Sequence, residues 1–135
     1  RVVAATSPWA MHPSVIDQRN HLIAISHGEG RFVCDEATAK KLFENGQVFT
    51  QYVDEFGRPA ITEPDNPNGS AYAIEGITSP DGHVLGKMGH SERGVGMSMN
   101  GASMDLFKNV GGNPLTNENE TTCQNIFAAG VAYFK

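Results

Sequence analysis

In the segment HLIAISHGEGRFVC, residues 21–34, an uninterrupted apolar run from Leu22 to Ile25 is followed almost at once by Gly28 and Gly30. A run this short, without polar alternation and closed by glycine, predicts a central strand buried on both faces, which in turn demands a sheet covered by helices. The neighbouring segments fit that demand. DEATAKKLFENG predicts a short helix, with Asp35 as N-cap, Ala39, Leu42 and Phe43 at helical spacing and Gly46 as the stop. QVFTQYVDEFGRPAITEP alternates, Val48, Thr50 and Tyr52 on one side and Phe49, Gln51 and Val53 on the other, with a hairpin turn at Asp54 to Gly57. EPDNPNGS is a loop, because its prolines and its Asn-Gly pair interrupt regular pairing.

Further on, YAIEGITSPDGHVLGKMGH predicts two strands joined by a Pro-Asp-Gly turn at Ser79 to Gly82, the second delivering His90 at its end. Gly94 to Glu120 is rich in Gly, Asn, Ser and Met, and mobility is the expectation there apart from a brief helical turn at MDLFKNV. The final segment, TTCQNIFAAGVAYFK, places Thr121 and Gln124 at capping-box spacing and predicts a helix whose packing face carries Ile126, Phe127, Val131 and Phe134. The fold class expected is α/β, one domain over residues 1–135, with a mixed sheet and flanking helices.

A chain of 135 residues buries roughly two thirds of its unfolded surface in a single core. Its formal net charge of −5, with Lys and Arg scattered, leaves no basic stripe for a phosphate backbone and argues against nucleic-acid binding. No apolar run approaches the ~18 residues of a membrane span and no signal-peptide pattern opens the chain, so a cytoplasmic protein without membrane contact is expected. Cys34 and Cys123 lie far apart without CxxC spacing, which predicts reduced thiols rather than a disulfide framework or a zinc knuckle. The first residue is Arg1, not methionine, and polypeptide upstream of it is expected.

The residues that bear chemistry form two groups. In KMGHSERG, His90 and Glu92 stand two apart after an apolar run, so in an extended chain both point the same way. Glu92 then fixes the tautomer of His90 and stabilises its imidazolium; in a serine-protease triad, breaking the equivalent contact costs about 10^4-fold in turnover. A solvated turn in which Arg93 pairs with Glu92 is the alternative. In SHGEGRF, Gly28 and Glu29 follow the most buried run, where open α/β sheets bind ligands and bare backbone amides approach them. A tight turn with Glu29 paired to Arg31 accounts for the same residues. His27 and Glu29 repeat the His-x-Glu spacing, so a metal held by both pairs must be weighed, although none of the strong zinc spacings occurs. His12, His21 and His83 read as surface or internally satisfied residues. Neither cysteine suits a nucleophile: Cys34 precedes Asp35 and Glu36, whose charges raise a thiol pKa, and Cys123 lacks a glycine elbow.

Taken together, ISHGEGRF, QYVDEFGRP, NPNGSAYAIEGITSPDGHVLGKMGHSER and IFAAGVAYFK, in this order over nearly the whole chain, resemble the carboxyl-terminal glutaminase region of the large phosphoribosylformylglycinamidine synthases, a class I, triad-type glutamine amidotransferase of flavodoxin-like fold. The resemblance implies a Cys-His-Glu triad in which His90 is the acid and base and Glu92 its orienting partner, with Gly28 and Glu29 on the wall of a glutamine pocket. It further implies that ammonia passes to a synthetase domain of the parent protein, where ATP and Mg are used; no cofactor is expected in this segment itself.

Two departures bear on function. The family's nucleophile sits on a Gly-x-Cys-x-Gln elbow upstream of the segment resembling SPWAMHPSVIDQRNHLIAISHGEG, and no such elbow occurs here. The family's more usual Pro-His-Pro-Glu-Arg stands here as Gly89, His90, Ser91, Glu92 and Arg93, which changes backbone stiffness but keeps both functional side chains. The expectation is a fragment inactive alone, with sheet surface free for self-association; a non-catalytic docking module of the same fold is the alternative.

Overall fold

In the computed structural model, residues 1–4, 6–16, 21, 23, 25–91 and 126–135 are described. The chain opens with a 3-10 turn at Pro8–Ala10, which Ser7 caps by accepting the Trp9 N–H, and a short helix α1 (Pro13–Ile16) follows. Helix α2 (Glu36–Glu44) is the helix expected from the sequence. Asp35 Oδ1 accepts the Thr38 N–H at 2.7 Å, and hydrogen bonds from Thr38 hold the Asp35 carboxyl below the usual carboxylate range. The helix ends where Gly46 N–H bonds back to Phe43 O and Gln47 N–H to Leu42 O. Ala39 is buried, but Leu42 is only half-buried and Phe43 exposed, so α2 lies on the domain rather than in it.

Strands β1 (Val48–Gln51), β2 (Ile74–Thr78) and β3 (Leu85–Lys87) form a sheet in the order β1-β2-β3. Val48 pairs with Ile77, Gln51 with Ile74, and Gly76 with Lys87. The first residues lie along the free edge of β1, where Val3 N–H bonds to Phe49 O and Gln51 N–H to Arg1 O. Both turns read from the sequence are present: Asp54 accepts the N–H groups of Phe56 and Arg58, and Gly82 N–H closes on Ser79 O.

The sheet corrects two expectations. All its described pairings are antiparallel, where a mixed sheet was expected. The apolar run at Leu22 to Ile25 is not its centre either: Ile23 is half-buried and Ile25 is 46% exposed, and neither belongs to a strand, while Leu22 and Ala24 lie outside the described residues. The physical reason lies just downstream, where the carbonyls of His27 and Gly30 bond to a side-chain amide instead of a strand ladder.

The main core joins Val2, Ala10, Val15, Phe49 and Ile126, with Trp9 and Leu85 packed against it; a smaller cluster holds Tyr52, Ala60 and Ala73. Helix α3 (Ile126–Tyr133) closes the domain as expected, but on a different face. Ile126, Ala129 and Gly130 are buried, whereas Phe127, Val131 and Phe134 are exposed. Small residues won because the contact is a ring: a Cβ on Gly130 would lie 2.8 Å from Trp9 Cζ3, so only glycine lets the indole seat on the helix. Trp9 Nε1 then donates to His83 O at 3.0 Å, tying helix to sheet. The expected helical turn at MDLFKNV and the capping pair Thr121 and Gln124 lie outside the described residues.

Candidate functional site

Antiparallel register decides where the chemistry gathers. With Gln51 opposite Ile74 and Lys87 opposite Gly76, the end of β1, the start of β2 and the end of β3 share one edge of the domain. His90 follows β3 by three residues and is half-buried at that end, with Ser91 buried beside it in sequence. Glu92 and Cys123 lie outside the described residues, so the expected His-Glu pair is represented by its histidine.

The SHGEGRF loop reaches the same end through Tyr52, whose Oη lies 2.9 Å from His27 Nε2. Burial, and then the negative charge of Glu75, raise the Tyr52 phenol above its ordinary pKa, so it stays protonated as a hydrogen-bonding group. Asn68 holds the other side: its Nδ2 donates to the carbonyls of His27 and Gly30, both at 3.0 Å, and lies 3.1 Å from His27 Nδ1. Downstream, Phe32 N–H donates to Ser70 Oγ at 3.0 Å and Ala71 N–H to Phe32 O at 2.9 Å. The anchor of all this is Asn66, fully buried, whose amide donates to Ala60 O and Ser70 O and accepts the Ser70 N–H. The loop is thus pinned at His27, Gly30 and Phe32, while Gly28 and Glu29 stand exposed between the pins and a Cβ on Gly28 would meet nothing within 4 Å. The bend is thus exposed, with fixed flanks, at the sheet end, and its backbone groups are open to solvent.

Tyr52, Asn66, Asn68 and Ser70 were not singled out from the sequence. The available signal was NPNGS itself, because asparagines beside proline and glycine commonly organise turns through their side-chain amides.

Against Gly89, the residue before His90, the sheet carries a buried ion pair. Glu75 Oε1 lies 3.3 Å from Lys87 Nζ, with side chains 10% and 8% exposed respectively. Glu75 also accepts the Thr50 hydroxyl and the Gly89 N–H. Lys87 donates to Gly89 O at 2.7 Å.

The remaining candidates sort by environment. Burial, then the Asp35 charge, push the Cys34 thiol above its ordinary pKa, which disfavours the thiolate. His21 Nε2 lies 3.2 Å from Val15 O, and burial lowers its pKa. His83 is a surface residue set edge-on to Tyr133, its Nδ1 3.3 Å from Asp81 Oδ2. Among the described residues no three His, Cys, Asp or Glu side chains converge as a metal site would require, and His27 spends its ring on Tyr52 and Asn68. No helix among the described residues is long and apolar enough to cross a membrane.

Comparison with known proteins assigns this arrangement to a family. One similar protein is the phosphoribosylformylglycinamidine synthase subunit PurQ of Methanococcus maripaludis strain C7, 49% identical over 74 residues, which cover 54% of this chain and 27% of the relative. The subunits of the same name from strains C5 and S2 are each 47% identical over 74 residues, covering 54% of this chain and 28% and 27% of their own lengths. The matched part therefore spans about a quarter of the length of these curated relatives. Residues 1–134 match the CobB/CobQ-like glutamine amidotransferase domain as a whole, and the chain belongs to that family.

Proposed function

We propose that this chain is the carboxyl-terminal part of the glutaminase of a phosphoribosylformylglycinamidine synthase, and that His90 is its acid and base. What supports the reading is the family match over residues 1–134 together with the likeness to three PurQ subunits. His90 at the same sheet end as the pinned SHGEGRF loop is compatible with it.

In this reading a cysteine thiolate, supplied from outside these 135 residues, attacks the side-chain amide carbon of glutamine. His90, protonated and held by Glu92, gives its proton to the departing nitrogen as the carbon–nitrogen bond breaks, releasing ammonia and leaving a γ-glutamyl thioester. Water then attacks the thioester carbon, His90 takes its proton, and glutamate leaves as the thiolate is restored. Gly28 and Glu29 line the glutamine side of the cleft. The ammonia goes to a synthetase component that uses ATP and Mg to convert formylglycinamide ribonucleotide to its amidine.

Glutamate release by the full-length protein tests this. His90→Ala should lower kcat by three orders of magnitude or more, about the scale seen when a member of a catalytic triad is removed. The isolated 135-residue chain should show only background hydrolysis. Full activity in His90→Ala, or turnover by the isolated chain that His90→Ala abolishes, would each overturn the corresponding half of the proposal.

A further inference from the structure

We propose that the buried Glu75–Lys87 pair positions His90, by clamping the two peptide units that flank Gly89, one through its N–H and the next through its C=O. The inference rests on His90 being the base. Buried ion pairs are weak sources of stability, because desolvating both charges cancels much of their attraction. A pair retained so far from water therefore invites a second explanation, and its hydrogen bonds supply one. Glu75 accepts the Gly89 N–H and Lys87 donates to the Gly89 carbonyl at 2.7 Å, so two side chains from adjacent strands grip the successive peptide units that flank the Gly89 Cα. Thr50, from the third strand, donates to the other Glu75 oxygen, and Met88 N–H bonds to the Glu75 backbone carbonyl at 3.1 Å. All three strands thus hold the residue immediately before His90.

That residue needs holding. Glycine has the widest backbone freedom of any residue, and Gly89 has no side chain of its own to pack. A larger residue would force its neighbours to move, since a Cβ at Gly89 would lie 2.7 Å from Ile23 Cγ2 and 3.0 Å from Glu75 Oε1. Close neighbours favour the glycine, and the ion pair removes the freedom that comes with it. Fixing both flanking peptide units narrows φ and ψ of Gly89 and so the direction in which the chain enters His90. A base displaced by about 1 Å loses on the order of 10^2 in rate, which sets the scale of what such a clamp controls.

The test measures glutaminase kinetics and thermal unfolding of the full-length protein carrying Lys87→Met, Glu75→Gln with Lys87→Met, Lys87→Arg, or Thr50→Val. Lys87→Met strands a buried carboxylate and should lower both Tm and kcat. The double variant leaves no unpaired charge, so Tm should recover, but the Gly89 carbonyl still lacks its donor. Its kcat should remain down by about tenfold or more, with KM for glutamine within about twofold. Lys87→Arg should restore part of kcat, and Thr50→Val, a neutral and milder change, should lower kcat at unchanged KM. A double variant whose kcat returns along with its Tm would reduce the pair to a structural role and overturn the proposal; unchanged kcat in folded Thr50→Val would do the same should the charge variants fail to fold. His90→Ala is run in parallel: if it retains turnover the reading of His90 as base fails, whereas loss of turnover there with normal kinetics in the pair variants sinks the clamp alone.

Discussion

Replacing Asn66 by alanine strips one side chain from the loop that pins SHGEGRF, and its cost follows from three hydrogen bonds. The amide nitrogen serves Ala60 O and Ser70 O, each at 3.0 Å, and the amide oxygen serves Ser70 N at 2.9 Å. Asn66 is 0% exposed, Ser70 3% and Ala60 8%, so water does not stand ready to replace the partner. Each orphaned buried group costs about 1–3 kcal/mol, and a water entering the vacated space recovers part of the total. The expected loss is about 3 kcal/mol, a large fraction of the 5–15 kcal/mol typical of a domain and on the order of 10 °C in Tm. Urea unfolding followed by circular dichroism measures the loss, and hydrogen exchange at Phe32 and Ala71 locates it, because their amide bonds lie one step beyond Asn66. Asn66→Asp separates donor from acceptor: it keeps an oxygen for Ser70 N–H but turns a carboxylate toward two carbonyls, and should be at least as damaging at neutral pH. A loss below about 1 kcal/mol, with Phe32 and Ala71 still protected, would refute the account of Asn66 as anchor.

Three further outcomes are expected. Gly130→Ala gains roughly 1 kcal/mol of helix propensity but drives a methyl into Trp9, and overpacking costs about 1–3 kcal/mol, so the net effect is destabilising; the emission of Trp9, the single tryptophan, should shift to the red as its ring is displaced. His21, whose pKa burial lowers from 6.5, binds fewer protons folded than unfolded, so its contribution is fully present above pH 6.5 and is lost as pH falls toward the folded value. Melts from pH 7.5 to 5 should therefore fall more steeply for the native protein than for His21→Gln. Cys34, with its thiol pKa raised, should react with iodoacetamide at pH 7.5 more slowly than an unstructured cysteine, and a burst of labelling at neutral pH would contradict the environment described for it.

The sequence was most informative where local chemistry decides structure. Asp35 and Gly46 bound helix α2 through local bonds, and Pro80-Asp81-Gly82 turns the chain between strands. It misled where tertiary partners decide. Leu22 to Ile25 has the composition of a central strand, yet Ile23 and Ile25 belong to no described strand, and downstream the carbonyls of His27 and Gly30 are taken by the Asn68 side chain. In α3 the large residues signalled the packing face, but the complementary surface was a tryptophan that only a glycine accommodates. His90 was singled out by the His-x-Glu spacing and the family resemblance. Glu75 and Lys87 were not, because two charges on neighbouring strands read as solvated until the structure sets their side chains 3.3 Å apart and largely covered.

Between the NPNGS loop and β2 the backbone makes an uncomfortable passage: Tyr72 and Ala73 have φ of 54° and 58°, a left-handed region that side chains with a Cβ enter at a cost of order 1–3 kcal/mol each. The passage lets Ala71 face Phe32 while Ile74, three residues later, already pairs with Gln51. Loop and sheet therefore pull against each other through a cocked joint. A substitution that relaxes the joint, such as Tyr72→Gly, should make the protein sturdier, and the same slack should let the exposed bend at Gly28 and Glu29 wander.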